Sequence, residues 1–217
     1  RVRFLSFHEW VALYTEAKGL WLDGVLEGNF QRLTIILAGF FGSEVIAGFF
    51  FQAQRLASVP HQLLSPIVSR ILAVWFGRTE DPVIRDAGRN KTLKILFLPL
   101  LFAGVLTVLF ADPVVPWLFG QSWLRVSDLL VCMSGMVVFY TLFETLKSYC
   151  LATRATTTLF GGRLVQYIGL IVPTALGFLG WFSTDLALAM GLSLAYSFGF
   201  IFILMLIYIN RNKKSIF

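Results

Sequence analysis

Long apolar stretches recur through this 217-residue chain and constrain its fold more than any other feature. An α-helix needs roughly 20 mostly apolar residues to cross the hydrocarbon core of a bilayer. The stretches that meet this length predict spanning helices at residues 20–41, 45–76, 94–111, 126–151, 164–182 and 186–209. Residues 4–17 predict an amphipathic segment at the cytoplasmic interface. The predicted fold class is an all-α membrane protein, a six-helix transmembrane bundle that occupies residues 1–217 as one domain.

The composition is also that of a membrane protein. Apolar residues make up 57% of the chain and charged residues 14%, whereas soluble domains average about 45–50% and about 25%. A net charge of +6 would suggest a nucleic-acid partner in a soluble protein. Here basic cytoplasmic loops account for it, so we expect membrane lipids and no nucleic acid as partners.

Basic residues occur in alternate connections between the predicted helices. The connections without Lys or Arg are 42–44, 112–123 and 183–185. The basic segments are the two termini, residues 78–94, and the fourth connection, which Arg154 and Arg163 flank. Because Lys and Arg concentrate on the cytoplasmic side of membrane proteins, this alternation predicts six spans with both termini in the cytoplasm.

The second predicted helix carries a polar stripe. At 100° per residue the stripe includes Arg55, Ser58 and Gln62, and it is flanked by Gln52, Gln54 and His61. Polar and charged groups inside a membrane are tolerated when they face the bundle interior or a water-filled cavity. These side chains are therefore candidates for lining a cavity. The alternative is that they hydrogen-bond neighbouring helices and only hold the bundle together.

Charged residues also lie in the first and fourth predicted helices. Arg32 lies about 180° around the first helix from Asp23, so a straight helix cannot direct both to one place. Arg32 is a further candidate for the cavity. Asp23, Glu27 and Glu144 are candidates for ion coupling or for ion pairs, and the first two are competing partners for Arg55. Lys147 is expected to extend to the inner interface. The third, fifth and sixth predicted helices are nearly all apolar, and we expect them to face lipid.

Catalytic and metal-binding motifs are absent from the sequence. His8-Glu9 lacks the second histidine that a helical zinc-protease motif requires. Neither a nucleophile elbow nor a phosphate-binding ATPase loop occurs. We therefore expect no enzyme activity, no catalytic residues, no metal site and no cofactor.

Three short motifs occur in the order and spacing of one transporter family. Residues 40–56, FFGSEVIAGFFFQAQRL, form a turn with an acidic residue and then a helix with glycine, aromatic residues and arginine. Residues 118–123 are LFGQSW, and residues 151–154 are LATR. Together they resemble the polysaccharide (O-antigen and exopolysaccharide) flippases of the MOP superfamily, which includes the MATE multidrug exporters. Thr153 differs from the glycine usual in that family.

The resemblance implies one lobe of a MATE-like two-lobed transporter. Such proteins usually have twelve or more helices, and this chain aligns with the C-terminal six-helix lobe. The chain begins with Arg1 and not with Met, so we expect a missing N-terminal lobe as its partner. The implied location is the bacterial inner membrane, where the chain is multi-pass.

The implied activity is the flipping of an undecaprenyl-diphosphate-linked oligosaccharide during synthesis of surface polysaccharides such as lipopolysaccharide. Transport would proceed by alternating access around a basic central cavity. On this view Arg55, Arg32 and His61 bind the diphosphate, and Gln52, Gln54, Gln62 and Ser58 contact sugar hydroxyls. A polysaccharide polymerase is a further expected partner, and the coupling ion is open between Na⁺ and H⁺.

Two other functions remain open at this level. The first is a cation-coupled multidrug exporter of the same superfamily, in which Asp23 and Glu27 bind a cationic substrate or ion. An arginine in the cavity argues mildly against that function. The second is a membrane scaffold subunit without transport, whose polar residues only join helices. Substitution of Arg55 followed by a measurement of surface polysaccharide would separate these functions.

Overall fold

The computed structural model describes residues 7–41 and 43–214. The regular structure of these residues is helical, and no β-strand occurs among them. The α-helices in this part of the chain are α1 (Phe7–Phe41), α2 (Glu44–Ala57), α3 (Val59–Arg78), α4 (Pro82–Phe119), α5 (Leu124–Cys132), α6 (Ser134–Ala152), α7 (Thr156–Phe178) and α8 (Thr184–Lys214). A 3₁₀ turn at Gln121–Trp123 precedes α5. The all-α class predicted from the sequence is confirmed.

Within the described residues, three helices are long and apolar enough to cross a membrane. They are α4, α7 and the Thr184–Asn210 part of α8. The segment Gln121–Cys132 and α6 together pass the same test as a fourth span, with a bend of 49° between them. The described residues therefore contain up to four helices that could span a membrane, whereas six spans were predicted. The first two predicted spans are rich in charged and amide side chains and fall outside that group.

The predicted helix 45–76 is two helices that meet at Ser58. Pro60 in the first turn of α3 explains the break, because proline lacks an N–H donor and suits the start of a helix. The Ser58 hydroxyl donates a hydrogen bond to the carbonyl oxygen of Arg55 at 2.8 Å. The polar stripe is therefore carried by two helical segments and not by one continuous helix.

Three other predicted boundaries also change. Residues 7–17 continue α1 and do not form a separate interfacial segment, while residues 4–6 lie outside the described part. α7 begins at Thr156, earlier than the predicted 164. α8 runs to Lys214, beyond the predicted 209. The helices are thus longer than their apolar cores, because polar residues extend them beyond the membrane-compatible stretch.

α4 is longer than the predicted helix 94–111 at both ends. At its start, Asp81 accepts a hydrogen bond from a backbone N–H two residues later, at 2.7 Å. This is an N-cap interaction that favours the helix. At its other end, α4 includes most of the expected loop 112–123 and stops at Phe119. Gly120 ends it with a φ of 94°, which glycine adopts at little cost.

α6 lies at the centre of the bundle, where it packs against α3, α4 and α8. α7 and α8 form a close pair. A Cβ on Gly169 would come within 2.8 Å of the Ala195 backbone, and one on Gly191 within 2.9 Å of the Leu170 carbonyl oxygen. The most apolar windows of α4, α7 and α8 are 22%, 39% and 44% buried, respectively. More than half of each window is therefore not buried in the bundle, and α4 is the least buried of the three.

Candidate functional site

A polar cavity of about 310 Å³ lies between α1, α2, α3 and α6. Its lining residues are Gln31, Ile35, Phe51, Gln54, Arg55, Ser58, His61, Gln62, Met136 and Tyr140. This cavity brings together Gln54, Arg55, Ser58, His61 and Gln62 from the predicted polar stripe. The break at Ser58 contributes to this arrangement, because α2 supplies the residues before it and α3 supplies those after it.

Arg55 is the cationic residue of the cavity lining, and its side chain is exposed. It forms no ion pair with any described residue. Asp23 and Glu27, its two competing partners in the sequence, are both paired with other cations. A guanidinium group without a carboxylate partner keeps its N–H donors for an anion or for water. The cavity therefore has a net positive wall.

Hydrogen bonds at the helix junction order the neighbouring polar groups. Gln62 Nε2 donates to Ser58 Oγ at 2.7 Å, and that hydroxyl in turn donates to the carbonyl of Arg55. These bonds occupy one donor of the Gln62 amide and leave its carbonyl oxygen as an acceptor. Through these hydrogen bonds, Ser58 links Arg55 at the end of α2 to Gln62 near the start of α3.

His61 is part of an aromatic stack on the cavity wall. Its ring lies almost parallel to the Tyr140 ring, with the centroids 3.6 Å apart and an interplanar angle of 15°. Tyr140 also contacts Tyr196, with centroids 4.5 Å apart. His61 Nδ1 is 3.5 Å from the Thr141 hydroxyl oxygen. The imidazole is therefore fixed by stacking and by a neutral hydroxyl.

Two predicted cavity residues do not belong to the cavity lining. Arg32 is exposed on α1, and Gln52 is half-buried on α2. Gln31 and Tyr140 do line the cavity but were not predicted from the sequence. Gln31 follows Glu27 by four residues, so helical periodicity could have assigned it to the same face. Tyr140 gave no such signal, because an aromatic residue in an apolar helix does not indicate a cavity.

A buried ion cluster joins α1, α6 and α7. Arg163 Nε donates to Asp23 Oδ1 at 2.9 Å, and its Nη2 lies 3.1 Å from Glu27 Oε2 and 3.6 Å from Glu144 Oε1. Lys147 Nζ contacts Glu27 and lies 3.6 Å from Asp23 Oδ2 and 3.4 Å from Glu144 Oε2. The three candidate coupling carboxylates are therefore brought together as ion-pair partners of two cations.

Burial and further contacts make this cluster part of the core. The side chains of Arg163 and Asp23 are 2% and 6% exposed. Arg163 also donates to Gln166 Oε1 at 3.0 Å and lies over the Phe143 ring at 4.8 Å. In the described part of the chain, no group of three or more His, Cys, Asp or Glu side chains could hold a metal ion. The carboxylates of the cluster face cations of the protein itself.

Lys147 and Arg163 are the two residues of the cluster whose positions were predicted wrongly from the sequence. Arg163 was expected to flank a cytoplasmic loop, but it lies inside α7 and is almost fully buried. Lys147 was expected to reach the inner interface, but its side chain is 17% exposed and its ammonium group touches three carboxylates. Buried carboxylates on α1 and α6 require cations, and that requirement was the signal available for finding them.

A narrow seam of hydroxyl groups connects the cavity with the ion cluster. It has a volume of about 10 Å³ and is lined by Ser65, Val68, Ser69, Thr141, Glu144, Thr145 and Ser148. Thr141 contacts His61 of the cavity, and Glu144 belongs to the cluster. The two sites are therefore neighbours on one polar path along α6.

A family model described as "Polysaccharide biosynthesis protein" matches residues 3–128, more than half of the chain. The chain belongs to the polysaccharide biosynthesis protein family. The matched region includes the cavity residues of α1, α2 and α3, and it ends before α6. The family assignment therefore covers Arg55 and His61 but not the part of the ion cluster on α6 and α7.

One curated protein of similar sequence is the teichuronic acid biosynthesis protein TuaB of Bacillus subtilis (strain 168). The two sequences are 28% identical over 122 residues, which is 54% of this chain and 24% of that protein. The match therefore spans about a quarter of the relative's length. No solved structure matches the chain. Together with the apolar helices, the family supports a multi-pass membrane protein of polysaccharide synthesis.

Proposed function

We propose that this chain forms one lobe of a flippase that moves a lipid-linked oligosaccharide across the bacterial inner membrane. The observation that carries the proposal is Arg55, an exposed arginine in a polar cavity that forms no ion pair with any described residue. Asp23 and Glu27 do not neutralise it, because they pair with Lys147 and Arg163. An arginine left in this state is suited to an anionic substrate.

The chemistry of an undecaprenyl-diphosphate-linked oligosaccharide matches the cavity. The planar guanidinium of Arg55 can bind phosphate oxygens through paired hydrogen bonds. The amides of Gln54 and Gln62 can both donate to and accept from sugar hydroxyls. The lipid tail needs no polar path and can stay in the bilayer. The substrate would thus cross with its polar part in the cavity and its apolar part in lipid.

The remaining expectations fit this function. The second wall of the cavity would come from an N-terminal six-helix lobe, and transport would follow from rocking of the two lobes around the site. Both termini would be cytoplasmic, and a polysaccharide polymerase would take up the exported oligosaccharide. The chain would act as a transporter without catalytic residues. Its energy source would be a gradient of Na⁺ or H⁺.

A cation-coupled drug exporter is a second candidate, and the excess of carboxylates in the ion cluster favours it. The cluster has three carboxylates and two cations, which would suit a cationic ligand. Those carboxylates are already engaged, however, whereas Arg55 would repel a cationic substrate in the cavity. A scaffold without transport would explain the ion cluster as a helix-joining element, but it gives no reason for an exposed Arg55 that pairs with no described carboxylate.

The test is to substitute Arg55 in the flippase that contains this chain and to measure surface polysaccharide beside protein abundance. We expect Arg55→Gln to preserve abundance and to reduce display at least about tenfold, since a charge-assisted bond is worth about 1.5–3 kcal/mol. Arg55→Lys should restore display only in part, because an ammonium group lacks the planar fork.

Arg32→Gln is the matched control, because Arg32 is an exposed arginine outside the cavity lining. Its substitution should leave display unchanged. Normal display with Arg55→Gln would exclude Arg55 as a substrate ligand. Equal losses with Arg55→Gln and Arg32→Gln would indicate a general effect of positive charge on membrane topology.

A further inference from the structure

The aromatic stack on the cavity wall has one free end. Tyr140 is covered on one face by His61, whose ring is 3.6 Å away and nearly parallel. Tyr196 must therefore cover its other face, with centroids 4.5 Å apart and a tilt of 33°. Tyr196 is buried and contacts Phe30 edge to face. The stack thus begins in the core of the bundle and ends at the cavity with the ring of His61.

The outer face of His61 has no aromatic partner among the described residues. His61 is partly exposed and lines the cavity. Its inner face is held by Tyr140, and its Nδ1 atom contacts the Thr141 hydroxyl at 3.5 Å. The ring is therefore fixed in orientation on its Tyr140 side, while the residue is partly exposed at the cavity.

His61 differs from Arg55 in offering an aromatic ring to the cavity. Its imidazole stacks on Tyr140, and its Nδ1 atom is 3.5 Å from the Thr141 hydroxyl oxygen. The positive charge of the cavity lining comes from Arg55. What His61 offers the cavity is a rigid, flat ring face. Such a face carries partial negative charge and attracts C–H groups that carry partial positive charge.

Three amide side chains line the same cavity as His61. They are Gln31, Gln54 and Gln62, and together they present donors and acceptors. A ligand that uses both features needs a face of C–H groups and a rim of hydroxyl groups. A pyranose ring has this construction. A diphosphate has no C–H face, and an isoprenoid chain has no use for the amides.

We propose that His61 is a sugar-binding platform on which one pyranose ring of the transported glycan stacks, with the glutamine amides bonding its hydroxyls. This inference rests on the proposed function and deepens it, because it assigns separate parts of the substrate to separate residues. Arg55 binds the diphosphate, and His61 selects for the presence of a sugar. Tyr140 and Tyr196 are positioning residues that hold the platform.

Two probes test the assignment with the flippase that contains this chain, held in lipid nanodiscs. One is farnesyl diphosphate, and the other is the same lipid with a disaccharide on its diphosphate. We expect the wild-type chain to bind the glycosylated probe more tightly. His61→Ala should reduce that preference about tenfold, the size typical of one stacking contact. His61→Phe should retain most of it, because phenylalanine restores the ring face without a charge.

The controls separate this inference from the function on which it rests. Arg55→Gln should lower the affinity for both probes by the same factor. Phe102→Ala, which alters an exposed aromatic residue on α4, should lower the affinity for neither. If Arg55→Gln leaves both affinities unchanged, the proposed diphosphate site is wrong, whatever His61 does. If His61→Ala lowers the affinity for both probes equally or for neither, the assignment of His61 as a sugar-binding platform is wrong. Should His61→Ala fail to fold, the comparison of His61→Phe with His61→Gln carries the same test.

Discussion

The cavity and the ion cluster are adjacent polar sites that differ in whether their charged side chains are paired. In the cluster, Asp23, Glu27 and Glu144 are matched with Lys147 and Arg163, and Arg163 is only 2% exposed. In the cavity, Arg55 is exposed and forms no ion pair with any described residue. The hydroxyl seam along α6 lies between the two and joins them. The charges of the cluster have their partners within the protein, whereas the charge of Arg55 is available to a ligand.

This difference follows from the cost of burying charge. An ion removed from water must be paired and hydrogen-bonded, and the loss of one partner is more costly than the loss of the whole pair. A charge that remains in contact with water needs no partner. Substitutions should therefore affect stability in the cluster and function in the cavity.

The largest loss of stability is expected for Arg163→Met. This substitution would leave Asp23, Glu27 and Glu144 with Lys147 as their remaining cation, at a cost of about 3–5 kcal/mol for breaking a buried pair. We expect a marked fall in the thermal melting midpoint in detergent and in abundance in the membrane. Arg32→Met, which removes an exposed arginine from α1, should change stability by about 0.5 kcal/mol or less. Similar melting of the two variants would contradict the structural role of the cluster.

The net charge of the cluster predicts an asymmetry between its anions and cations. Lys147→Met leaves three carboxylates beside one cation and should cost about 2 kcal/mol or more, since a buried charge loses its partner. Glu144→Gln leaves two carboxylates beside two cations and should cost about 1 kcal/mol or less. Melting of the two variants side by side measures the asymmetry. A larger loss of stability with Glu144→Gln than with Lys147→Met would mean that the number of cations does not limit the stability of the cluster.

The two sites also differ in how far they could be predicted from the sequence. The stripe of Arg55, Ser58 and Gln62 is a local pattern, because residues three or four apart share a helical face. The structure brings these residues to one cavity even though Ser58 breaks the helix. Arg32 could not be assigned in this way, because the rotation of α1 against its neighbours is set by packing.

The ion cluster is non-local, and little of it could therefore be predicted. Asp23 and Arg163 are separated by 140 residues, and no periodicity links positions so far apart. The charge-alternation rule even favoured a loop position for Arg163, since Lys and Arg usually flank cytoplasmic connections. Gly24 and Gly28 have the G-x-x-x-G spacing that is common where helices pack closely. No atom of a neighbouring helix lies within 4 Å of a Cβ built on either, however, and the close approach occurs between α7 and α8.

Arg55→Gln should change the stability of the free protein by about 0.5 kcal/mol or less, because the guanidinium pairs with no described carboxylate. The effect of Arg55→Gln on stability should become measurable when a ligand is present. A ligand that binds only the folded state stabilises it by about 2.7 kcal/mol at one hundred times its dissociation constant. Farnesyl diphosphate should therefore raise the melting midpoint of the wild-type chain and of Arg32→Gln, but not that of Arg55→Gln. If Arg55→Gln melts early without ligand, the arginine stabilises the fold. In that case the contrast between the two sites is wrong, since both would then use their charges for structure.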